Sequence, residues 1–135
     1  MVNEIYQGLI GGRKGRYWYG VGHWDVEGSP GGVPFDPKVV MDRQMEHGDV
    51  VGFYHTHPSM PARPSSIDYR TMGTWNLAFG KPLVCCIRGN EGIQAHWFID
   101  DETEHITGKV KQFGSIFVGI VPKEIRDLLE ERNGQ

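Results

Sequence analysis

Cysteine is nearly absent from this sequence. The 135 residues include two, Cys85 and Cys86, adjacent within Leu83-Val84-Cys85-Cys86-Ile87. That run reads as a buried strand with inert thiols, which excludes a disulfide framework and a CxxC redox motif. Long hydrophobic runs are also missing: no window approaches the ~20 apolar residues that span a bilayer. Residues 1–20 lack a basic start, an apolar core and a small-residue cleavage site. The expectation is a cytoplasmic protein with no membrane partner. Nor is there an excess of one charge. A net charge of −3 and a pI near 6.0 give no overall attraction to a polyanion, so a nucleic-acid partner is not expected. The sequence has no internal repeat and no low-complexity segment, and 39% hydrophobic residues over this length fit one domain spanning 1–135.

Glycine and proline punctuate what is there. Residues 4–11 are short and apolar, Gly12-Arg13-Lys14-Gly15 reads as a turn, and a second strand over roughly 16–26 completes an early hairpin. After a Gly- and Pro-rich loop, Asp36-Pro37 supplies an N-cap and a first-turn proline for a helix over 37–47, ended by Gly48. Asp49 to Thr56 is rich in β-branched and aromatic residues and reads as a strand. Two prolines at 61 and 64 prevent its extension, and Ser65 opens a second helix to about Phe79, closed by Gly80. Strands near 82–88, 92–99 and 104–119 follow, the last broken around Gly114, and Pro122 starts a terminal helix to about Arg132. Helices set among mostly hairpin-linked strands point to an α+β or mixed α/β fold, because the alternation is too sparse for a doubly wound parallel sheet.

The chemistry begins at His55-Thr56-His57. A spacing of two on a strand turns both imidazoles to one face. The chain then turns through Pro58 to Pro64 and returns at Ser65-Ser66-Ile67-Asp68, which brings a carboxylate into the first turn of a helix. Two histidines and a carboxylate can hold zinc and leave the fourth position open for water, the arrangement of a hydrolytic rather than a structural centre. Each half also has a plain structural explanation. A histidine pair alone is weak evidence, and Ser65 with Asp68 alone is a helix cap. Capping does not explain the histidines, however.

The ordered set His55-Thr56-His57-Pro58, Ser65 and Asp68 resembles the H-[ST]-H-P…S-x-x-D motif of the JAMM (MPN+, JAB) metalloproteases, here of prokaryotic type. The resemblance implies a cytidine deaminase-like central mixed β-sheet flanked by helices. It also implies a zinc enzyme with His55, His57 and Asp68 as metal ligands, Ser65 as donor to the tetrahedral oxyanion, and an upstream glutamate as general base and acid. Glu4 is the choice for that glutamate. Glu4-Ile5-Tyr6-Gln7-Gly8-Leu9-Ile10-Gly11 is similar to the family's E-x-x-G-x-L-x-G, with one residue more before the first glycine; Glu27 and Glu46 are the fallback candidates. The implied reaction is hydrolysis of a peptide or isopeptide bond at the C-terminus of a ubiquitin-like or sulfur-carrier-like protein. The substrate tail is expected to add as a strand beside an edge near the metal, with Tyr54, Trp75 and the 28–32 loop as groove walls.

The other histidines lack such partners. His23 and His96 read as packed or surface residues, His47 suits a helix C-terminus, and His105 reads as exposed. Two alternatives stand beside the enzyme: a catalytically silent MPN scaffold, and a RadC-like DNA-associated protein, whose H-x-H-P-S…P-S-x-x-D form Ser59 and the Pro64-Ser65 pair echo. Iron or manganese would accept a similar ligand set.

Overall fold

A computed structural model describes residues 4–27, 36–99 and 105–133, with the backbone alone at Glu27 and at 131–133. The chain opens as an antiparallel hairpin, β1 (Ile5–Lys14) and β2 (Tyr17–Glu27), and continues through α1 (Pro37–His47), β3 (Val50–Thr56) and α2 (Ser66–Phe79). β4 (Leu83–Gly89), β5 (Gly92–Phe98), β6 (His105–Gly108), β7 (Val110–Phe113), β8 (Ile116–Ile120) and α3 (Lys123–Asn133) complete it. The strands form one mixed eight-stranded sheet in the order β6-β5-β4-β3-β1-β2-β8-β7. Among the described residues its one parallel pair is β3 with β4, the pair that α2 connects as a crossover. The fold is therefore the expected mixed α+β sheet flanked by helices.

α1 and α2 end where their local signals put them. The Asp36 carboxylate accepts the Lys38 N–H at 3.0 Å, and Gly48 closes α1 in the left-handed region at φ 67°. Ser65 caps α2, and Gly80 closes it at φ 66°. The hairpin turn is tighter than expected. Arg13 and Lys14 pair with Trp18 and Tyr17, so β1 runs on to Lys14 and the left-handed Gly15 makes the reversal.

The stretch 104–119 departs further from its reading as one strand broken at Gly114. It holds three strands: the break at Gly114 is present, and a second falls at Lys109. The reason is a change of partner. β6 pairs with β5 at one edge of the sheet and β7 with β8 at the other, joined through Lys109 alone. Eight strands at ~4.8 Å spacing are far wider than one residue can reach, so the sheet must curl until its edges meet. The Ile120 N–H bond to the Lys109 carbonyl (3.2 Å) lies at that seam.

Curling divides the core in two. Val40, Phe53, Met72, Trp75, Cys85 and Ile87 pack on the face covered by α1 and α2. Tyr54, Val84, Cys86, Trp97, Phe117 and Ile125 pack on the other face, with α3. Adjacent Cys85 and Cys86 fall on opposite sides, as strand alternation requires; both are free and buried, and burial pushes both thiols up. Among the described residues no helix is long and apolar enough to cross a membrane.

Candidate metal centre

β3 lies inside the sheet, between β4 and β1, and its C-terminal end carries His55 and His57. Their neighbours on either side fix this end. The His57 N–H donates to the Arg88 carbonyl of β4 (2.8 Å), and the Thr56 hydroxyl accepts the Ile5 N–H of β1 (2.9 Å). Both imidazoles are buried on the α2 face, with ring centroids 4.5 Å apart.

The loop after Pro58 is held by backbone contacts. Met60 N–H donates to His57 O (3.2 Å), and Asn90 N–H donates to Met60 O (2.8 Å). The loop rests directly on Gly89, where a Cβ would come within 2.4 Å of Ala62 N and 2.5 Å of Met60 O. Buried His96 reaches in from β5, and its Nε2–H donates to the Ala62 carbonyl at 2.7 Å. Pinned in this way, the loop presents the Pro61 carbonyl to His57 Nδ1 at 3.4 Å. A proton held on Nδ1 leaves Nε2 as the free donor nitrogen.

Asp68 enters from the third position of α2. Its Oδ2 accepts the Ser65 N–H at 2.8 Å and lies 3.4 Å from His57 Nε2, while Oδ1 lies 2.9 Å from His55 Nε2. One carboxylate thus serves as capping residue and as the third member of the cluster. Burial alone would raise its pKa, but the two imidazoles and the Ser65 N–H hold the carboxyl well below the usual range. The same contact pushes His57 up, against an opposing effect of burial.

The three residues fit a zinc ion. Their ligand atoms lie within 4.8 Å of one another, and the edge of a tetrahedral site with ~2.0–2.1 Å bonds is about 3.3 Å. His55 supplies a further sign. Both its ring nitrogens are buried without a hydrogen-bond partner, Nε2 meeting Asp68 Oδ1 without hydrogen-bond alignment. Leaving such a nitrogen unsatisfied is costly, and a metal ion would satisfy Nε2. Among the described residues no fourth His, Cys or carboxylate joins the group, as an open rather than a closed centre requires.

The Ser65 hydroxyl, the implied donor to the oxyanion, is also the α2 cap: Oγ accepts the Asp68 N–H at 3.2 Å. Accepting uses a lone pair and leaves the O–H proton free to donate. Glu4 precedes β1, whose register sets Tyr6 opposite His55, so strand alternation turns Glu4 and Tyr6 to the histidine face. Its Oε2 accepts the Tyr6 hydroxyl at 2.5 Å, and its charge helps to raise His57. Glu46 lies exposed on α1, where its charge acts on Lys38 and Arg43. Glu27 ends β2 opposite Ile5, and its side chain lies outside the described residues, as does the 28–32 loop.

The expected groove walls need correction. Tyr54 is buried on the opposite face against Phe117, because strand alternation turns it away from His55. Trp75 is core, lining with Phe53 and Met72 a void of about 20 Å³ behind His55 and Asp68. β3 also offers no free edge, since the edges are β6 and β7. His23 is exposed and His96 packed, but His105 is half-buried, hydrogen-bonded to Tyr69 at 2.8 Å. A larger groove of about 920 Å³ opens at the seam between Thr107–Phe113 and Val118–Ile120 and shares no residue with the cluster. Tyr6, His96 and the Pro61 carbonyl are the supporting groups that motif reading missed. The family described as prokaryotic homologs of the JAB domain matches residues 4–100, which include every member of the cluster. No curated protein matches the sequence.

Proposed function

The chain belongs to the family of prokaryotic homologs of the JAB domain, and from that premise we propose that it is a zinc-dependent hydrolase of peptide or isopeptide bonds. Its proposed substrate is the C-terminal tail of a ubiquitin-like or sulfur-carrier-like protein. The observation that carries this reading is the convergence of buried His55, His57 and Asp68, with no fourth ligand among the described residues. In it, His55 Nε2, His57 Nε2 and the Asp68 carboxylate hold the ion. Zinc, when bound, supplies Lewis acidity toward water and toward a carbonyl oxygen. Glu4 takes the proton of the attacking water and returns it to the leaving amine, which is a lysine side chain if the bond is an isopeptide. The Ser65 hydroxyl, with its proton uncommitted, donates to the oxygen on which negative charge develops. Pro61 and the capping hydrogen bonds keep His57 and Asp68 in place while the proton moves.

The test is cleavage of a panel of ubiquitin-like and sulfur-carrier-like fusions by the native protein and by Glu4→Gln. Cleavage by native protein, and its loss in a Glu4→Gln variant that keeps its zinc, supports the reading. A zinc-loaded native protein that cleaves none of the panel refutes it.

A scaffold reading has one observation in its favour. Tyr17, Tyr19 and Val21 of β2 and Ile116, Val118 and Ile120 of β8 form an exposed apolar face. Protein contacts made through that face would survive His57→Ala, whereas hydrolysis would not.

A further inference from the structure

Metal-binding histidines ordinarily have the second ring nitrogen fixed by a carboxylate, a carbonyl or water, and this sets the ring's orientation. His57 meets that expectation through the Pro61 carbonyl. His55 does not: its Nδ1 is buried with no hydrogen-bond partner among the described residues. What lies against the His55 ring is the ring of Tyr6, at a centroid distance of 5.0 Å and only 9° from parallel. The β1–β3 register, which sets Tyr6 directly opposite His55, dictates this pairing. The far end of the same tyrosine donates its hydroxyl to Glu4 Oε2 at 2.5 Å.

We infer that Tyr6 is a positioning residue with two separate contacts: its ring orients His55 in place of the absent hydrogen bond, and its hydroxyl holds the Glu4 carboxylate over the same face. The inference rests on the proposed reading of Glu4 as the general base. A stacked ring limits rotation of the imidazole about its own axis system by packing, where a hydrogen bond would have done so by direction. A hydrogen bond to an ionised carboxylate is among the stronger ones, and it fixes a side chain that begins only one residue before the first strand. The hydroxyl thus ties the Glu4 carboxylate to the same residue whose ring stacks on His55. Tyr6 is only partly buried, so a phenylalanine ring fits the same space.

The two contacts separate by substitution. Tyr6→Phe keeps the ring and removes the hydroxyl; Tyr6→Leu removes both. Zinc affinity, measured by competition with a chromophoric chelator, is expected to be native in Tyr6→Phe and about 10-fold to 100-fold weaker in Tyr6→Leu. Thermal unfolding of the zinc-free proteins identifies any loss of folding. On the best-cleaved fusion, kcat of Tyr6→Phe is expected to fall about 10-fold to 100-fold with KM unchanged. Because the hydroxyl acts through Glu4, adding Tyr6→Phe to Glu4→Gln should lower kcat no further. A folded Tyr6→Leu with native zinc affinity overturns the ring contact. Native kcat in Tyr6→Phe, or a fully multiplicative loss in the double variant, overturns the hydroxyl contact. If instead Glu4→Gln alone retains native kcat, it is the general-base reading that fails, and the hydroxyl half falls with it while the zinc-affinity half still stands or falls on Tyr6→Leu.

Discussion

Replacing His96 with glutamine should make the zinc-free protein markedly less sensitive to acid. His96 is 2% exposed, and burial, opposed only in part by its hydrogen bond to the Ala62 carbonyl, lowers its pKa from the ordinary 6.5 to about 4. The sign follows from proton binding. Below pH 6.5 the unfolded chain protonates this histidine, while the folded chain does not until about pH 4. The unfolded state binds more protons throughout that window, so stability is full above pH 6.5 and declines as pH falls toward 4. A shift of this size corresponds to about 3 kcal/mol, a large share of the ~5–15 kcal/mol that holds a domain together. Glutamine can place an amide N–H where Nε2–H donates, so Ala62 keeps its partner while the titration disappears. The assay is urea unfolding in chelator, followed by tryptophan fluorescence, for native and His96→Gln proteins at about pH 7 and about pH 4.5. The native protein should lose roughly 2–3 kcal/mol more than the variant between the two. His57, whose pKa is raised, contributes with the opposite sign in both proteins and cancels from the comparison. Equal acid losses would refute the assignment of this titration to His96.

Three further outcomes are expected. Ser65→Ala removes the α2 cap at a cost of about 1 kcal/mol in chemical denaturation, and on a cleaved substrate it should lower kcat about 100-fold to 1,000-fold with zinc retained. Gly89→Ala drives a Cβ into the backbone at Met60 and Ala62, so it should cost about 1–3 kcal/mol and weaken zinc binding by shifting the Pro61 carbonyl from His57; chelator competition reads the second effect. Titration with duplex DNA at increasing salt should show no binding that weakens steeply as salt rises, and such binding would favour the RadC-like alternative.

The parts of this fold that could be read from the sequence are those whose causes are local. Asp36-Pro37 and Gly48 bound α1, and Ser65 and Gly80 bound α2, because capping depends on residues within a turn of the helix end. The clustering of the candidate residues was legible for a similar reason: period two puts His55 and His57 on one face, and Asp68 is both cap and ligand candidate within four residues of Ser65. Period two also turns Tyr54 away from His55, against its reading as a groove wall. What the sequence withheld depends on pairing between distant strands. Ile106 and Val110 give no local sign that Lys109 takes the chain from one edge of the sheet to the other. The stacking of Tyr6 on His55 needs the β1–β3 register, and the hold of His96 on Ala62 needs β5 to lie beside β4. Neither contact has a spacing that a motif could record.

The proposed function requires His55, His57 and Asp68 to form a three-ligand zinc centre. Its most direct test is zinc per chain after equilibrium dialysis, for the native protein and for His57→Ala. About one zinc is expected in the native protein and almost none in the variant. A native protein without stoichiometric zinc, or a variant that keeps a full complement, would contradict it.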